Sequence, residues 1–135
     1  MYDPEPSTAP DFETSLLAVP KAVPELRRAL DAYGPHPDLA LCASELLSNV
    51  IRHLGEGTPV TVRVTGGGAG RIRVAVTDPD PRALPVMRHA TGDEEAGRGL
   101  ALLGALSLRW GVEQGADSKT VWCELAEGRT RRAGS

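Results

Sequence analysis

The sequence predicts an α+β fold: a two-layer sandwich with a mostly antiparallel sheet and helices on one face. Three observations carry this. Thr58–Thr65 and Arg71–Asp78 alternate in polarity, are rich in Val, Thr and Ile, and are joined by Gly66-Gly67-Gly68-Ala69-Gly70, the pattern of a hairpin. A second strand pair, Arg109–Gln114 and Lys119–Leu125, flanks Gly115-Ala116-Asp117-Ser118. The order is strand, helix, helix, two strands, loop, helix, two strands, and hairpin-linked strands imply antiparallel pairs, not a doubly wound parallel sheet.

Each element has a local reason. Phe12–Val19 reads as a first strand, ended by Pro20. Residues 21–33 read as a helix in which Val23, Leu26, Ala29 and Leu30 form the apolar face; Pro24 is tolerated in the first turn, where its missing N–H matters least. Tyr33-Gly34-Pro35 stops it. Asp38–Leu54 is the strongest helix, with Asp38 as the expected N-cap and Gly55 just past the end. Its apolar arc is Leu39, Ala43, Leu46, Leu47, Val50, Ile51 and Leu54. Residues 79–97 are rich in Pro, Gly and charge and read as a long loop of the kind that often serves as a lid. Gly99–Leu108 reads as a last helix.

Length and composition narrow the function classes. A chain of 135 residues suits one domain and buries enough surface to need no staples. The expected division is a flexible arm over 1–11, a domain over 12–126 and a flexible basic tail over 127–135. The net charge of −3 argues against a direct nucleic-acid binder. No apolar run is long enough to span a membrane, and the first residues lack the parts of a signal peptide. Cys42 and Cys123 have neither disulfide-framework nor metal spacing and read as core residues. His36 and His89 show no ligand spacing. A cytoplasmic protein is the expectation.

Three features carry chemistry. On the second helix Glu45, Asn49 and His53 stand at i, i+4 and i+8 and form one polar ridge. On spacing alone such a ridge is more often a solvated face than a site. The residue types are nonetheless useful together: an amide oxygen suits Mg²⁺, and a carboxylate can take a proton from an attacking hydroxyl. Next, the apolar strand Val74-Ala75-Val76-Thr77 ends in Asp78-Pro79-Asp80-Pro81, either a turn or an acid placed to accept a hydrogen bond from a ligand amino group. Finally, Gly97-Arg98-Gly99-Leu100 opens the last helix, whose N-terminus offers free N–H groups to phosphate. No glycine run is followed by Lys-Ser/Thr, so a P-loop is excluded.

In this order, E-x-x-x-N-x-x-x-H on a helix, two strands ending in D-P-D, a loop and G-R-G-L, the chain resembles the GHKL superfamily of ATPases and kinases. It looks like the anti-sigma-factor serine/threonine kinase group of actinobacteria, which Trp110-Gly111 and Lys119-Thr120-Val121-Trp122 also resemble. The resemblance implies a histidine-kinase-like ATPase fold that binds ATP and Mg²⁺. It implies that Glu45 is the general base, Asn49 the magnesium ligand, and His53 a residue near the nucleotide or in packing. Asp78 is implied to read the adenine amino group. Gly97 and Gly99 would supply the lid hinge and phosphate contacts, with Arg98 and Leu100 in the same box, and Thr120 an adenine-side hydroxyl. The implied partners are a sigma factor or an anti-sigma-factor antagonist protein, and a homodimer. The chain departs from the family pattern at Asp80, where a glycine is usual, and in the acidic Asp93-Glu94-Glu95 before the second glycine box. The alternative is a non-catalytic ATP-binding regulatory module acting by contact; a simple ATP hydrolase is a third reading.

Overall fold

The structure is a computed structural model and describes residues 11–68, 70–81 and 103–126. The elements run β1 (Phe12–Ala18), α1 (Ala22–Tyr33), α2 (Pro37–Leu54), β2 (Thr58–Gly68), β3 (Arg71–Asp78), β4 (Arg109–Gln114) and β5 (Lys119–Ala126). The five strands form one sheet in the order β1-β2-β3-β5-β4. Every neighbouring pair is antiparallel. The α+β layering expected from the hairpins is what the chain forms.

The alternation of side chains along a strand decides which face is buried. Along β3, Ile72, Val74, Val76 and Asp78 are buried while the residues between them are not. Directly paired residues share a face, so Val121, Cys123 and Leu125 of β5 and Val60, Val62 and Val64 of β2 join them in the core. Leu26 and Leu30 of α1 and Leu39, Leu46, Leu47 and Val50 of α2 close this layer from above. The helices thus lie on one side of the sheet, with α2 against β3 and β5.

Cys42 and Cys123 meet in this layer, both fully buried. The neighbouring Cys42 thiol, together with burial, pushes the Cys123 thiol up from its ordinary value. Both cysteines fill core positions, as small apolar side chains do.

Several boundaries differ from the sequence reading. Helix α2 begins at Pro37, one residue before the expected cap Asp38, because His36 caps it: His36 Nδ1 accepts from the Leu39 N–H at 3.2 Å. The other ring nitrogen, Nε2, donates to the Ala126 carbonyl at 3.0 Å, which ties the helix start to the end of β5. Strand β2 continues to Gly68, through a register shift between Gly66 and Gly68, rather than stopping at Thr65. Asp11, assigned by sequence to the mobile arm, holds the start of β1: its N–H donates to the Val64 carbonyl and its carboxylate accepts from the Gly66 N–H. The rest of the arm, the basic tail and most of the 79–97 loop lie outside the described residues. Of the expected helix Gly99–Leu108, residues 103–106 are helical and 99–102 lie outside them.

The opposite face of the sheet is polar and locked by one carboxylate. Glu124 of β5 is buried and accepts from Arg73 Nη2 and Arg109 Nε, each at 2.8 Å, on the strands to either side. The hydrogen bond from Arg109, then that from Arg73, holds its carboxyl below the usual carboxylate range. The Arg73 guanidinium lies 4.0 Å over the Trp122 ring, a cation–π contact. Trp122 in turn covers Gly111 so closely that a Cβ there would sit 2.8 Å from the ring.

Candidate functional site

The ridge on α2 forms for a helical reason. The apolar residues of the helix bury toward the sheet, and Glu45 and Asn49, four residues apart, are left half-buried along the rim of that face. His53 completes the ridge but is exposed. Asn49 Oδ1 accepts a long bond, 3.4 Å, from Arg52 Nη1 one turn on. Among the described residues Glu45 has no hydrogen-bond or ion-pair partner. The amide oxygen is a hard donor of the kind Mg²⁺ accepts beside phosphates, and a carboxylate one turn away can take a proton from an attacking hydroxyl.

Asp78 ends β3 on the same side of the sheet as α2. It is almost wholly buried, 2% exposed. Its Oδ1 accepts from the Asp80 N–H at 2.8 Å, so the Asp78-Pro79-Asp80 turn folds back on the carboxylate. Its Oδ2 accepts from Lys119 Nζ at 2.7 Å. Lys119 is the residue paired with Asp78 across the β3–β5 register, and its side chain is 7% exposed. A buried ionised pair is tolerable only when paired and hydrogen-bonded in this way.

Sequence reasoning missed Lys119. The signal lay in the strand register: once β3 and β5 pair antiparallel from Asp78 to Lys119, the lysine must share the face of the aspartate. By the same parity Thr120 lies on the other face. Its hydroxyl hydrogen-bonds that of Thr77 at 2.7 Å, and the residue paired with Asp78 is Lys119. The structure therefore gathers Glu45 and Asn49 along α2 and Asp78 with Lys119 at the strand ends, but not Thr120. Gly97, Arg98, Gly99 and Leu100 lie outside the described residues. A groove of about 540 Å³, lined by Asp78 together with Ser15, Leu17, Thr61, Thr77 and Ser118 among others, contains neither Glu45 nor Asn49.

Comparison with known proteins gives the family and the fold. The model of the histidine kinase-like ATPase domain family matches residues 12–124, and the chain belongs to that family. An uncharacterised protein of Streptomyces coelicolor, SCO4941, is 54% identical over 84 residues, which cover 62% of this chain and 80% of that protein. The crystal structure of the RsbU and RsbW domains of Rv1364c from Mycobacterium tuberculosis superposes with a TM-score of 0.62 at 21% identity, over 88% of this chain. The chain spans 32% of that larger protein, and at this identity the likeness is one of fold. No helix among the described residues is long and apolar enough to cross a membrane.

Proposed function

We propose that the chain is an ATP- and Mg²⁺-dependent serine/threonine-protein kinase of the anti-sigma-factor type, which regulates transcription by partner switching. The observation that carries this is the Glu45–Asn49 ridge, half-buried along the rim of α2, within a histidine kinase-like ATPase domain. In this reading Asn49 holds the nucleotide-bound Mg²⁺ and Glu45 takes the proton from an acceptor serine. Asp78 accepts from the base, and Gly97, Arg98, Gly99 and Leu100 meet the phosphates. The protein partners are a sigma factor or its antagonist, and a second copy of the chain completes a dimer. Bound ATP would supply the phosphoryl group, with ADP as the leaving group, and its metal would neutralise the phosphate charge; the chain's own contribution is positioning and charge stabilisation.

One observation favours a second reading, a non-catalytic ATP-binding module acting by contact. Asp93-Glu94-Glu95 puts three carboxylates before the glycines expected at the triphosphate. The deciding experiment measures phosphate transfer from ATP to a cognate antagonist protein. Transfer that Glu45→Ala removes, with ATP affinity kept within a few-fold, is the outcome expected for the kinase; general-base removal costs about 10²- to 10⁴-fold in rate. ATP binding without any transfer by the wild type assigns the contact-only role instead.

A further inference from the structure

We infer that Lys119 is a base-reading residue: its ammonium donates to a ring nitrogen of the purine while Asp78 accepts from the adjoining amino group. This rests on the nucleotide-binding reading above and adds to it a donor that the sequence did not suggest. The observation is the buried pair itself. Lys119 Nζ has three protons to give. One goes to Asp78 Oδ2, and among the described residues the ammonium has no other hydrogen-bond partner. An ammonium whose side chain is 93% buried rarely leaves N–H groups unused, because each desolvated donor without an acceptor costs free energy.

The two groups stand side by side on paired residues at the strand ends, one an acceptor and one a donor, 2.7 Å apart. The edge of adenine offers the complement: an amino donor next to a ring-nitrogen acceptor. Asp78 Oδ2 has acceptor capacity beyond the lysine bond, since an ionised carboxylate takes about four hydrogen bonds in all. One planar edge can therefore satisfy both groups without breaking the pair. Each bond forms where little water competes, so an analogue that leaves the ammonium without its acceptor is disfavoured strongly.

The test replaces the acceptor in the ligand. ATP and 1-deaza-ATP, in which that ring nitrogen is a C–H group, are titrated by calorimetry into the wild type, Lys119→Met and the Asp78→Asn/Lys119→Met double variant. The double variant removes both charges together, and so remains a folded comparison where the single change leaves Asp78 buried and unpaired. The wild type is expected to prefer ATP by about tenfold or more, the worth of one hydrogen bond to a charged group. Both variants are expected to bind the two ligands alike. A wild type that binds both equally, or a preference that survives in the double variant, overturns the role of Lys119 and leaves the ATP reading standing. A wild type that binds neither nucleotide overturns both.

Discussion

At the scale of single residues, the proposed function and the stability fall on different side chains. Asn49 is half-buried and bonded only weakly to Arg52, so Asn49→Ala is expected to leave the thermal midpoint within a few degrees of wild type. The same change should abolish the Mg²⁺-dependent part of ATP affinity, read by titration with and without the metal. Unchanged affinity in Mg²⁺ would remove Asn49 from the ligand set. Gly111 is the opposite case. A methyl group there meets the Trp122 ring at 2.8 Å, so Gly111→Ala must push the indole off Arg73 or move β4. Overpacking of this kind costs about 1–3 kcal/mol. A lowered midpoint in denaturant with a shifted tryptophan emission is the expected result.

At the scale of elements, α2 shows how a cap can also be a tether. His36→Ala should lose about 1–2 kcal/mol, combining an N-cap with the bond to Ala126. His36→Asn keeps a capping side chain but lacks the reach to Ala126, and should fall between Ala and wild type in equilibrium unfolding. Much at this scale was legible in the sequence. The alternation in β2 and β3 and the 3.6-residue period of α2 set their extents to within a few residues, and the Glu45–Asn49 ridge follows from helical spacing alone. What was not legible depends on partners distant in the chain. His36 becomes a cap because its other ring nitrogen is held by Ala126, ninety positions away. Lys119, and not Thr120, stands opposite Asp78 because the register of β3 on β5, which no local pattern states, decides which of two neighbouring residues faces the helices.

At the scale of the whole molecule, acid should loosen the sheet from its polar face. The guanidiniums of Arg109 and Arg73 lower the pKa of Glu124, so its contribution to stability is complete above the unfolded-state value of about 4.3 and fades as pH falls through the lower folded-state value. Wild type should therefore lose stability on acidification below about pH 4 more steeply than Glu124→Gln, which has no proton to take up there. Parallel curves for the two proteins would mean that the Glu124 cluster adds no pH dependence. The same cluster joins β3, β5 and β4, so its loss is expected to be felt across half the sheet rather than at one strand.

The strand order also sets how the chain must find its structure. Two pairings are made by near neighbours, β2 with β3 and β4 with β5, across short glycine-bearing turns. The seam between β3 and β5 instead brings together residues such as Asp78 and Lys119, forty-one positions apart, and the chain pays for closing that loop before any contact along the seam returns it. The pairing of β1 with β2 is as distant, so if the two hairpins form early, their docking is the step expected to be slow. Val74→Ala, which thins the seam opposite Cys123, should then slow refolding in stopped-flow measurements. The pairing that places Lys119 beside Asp78 would on this account be among the last to form, so a chain stalled at the two-hairpin stage would lack the proposed contact to a base.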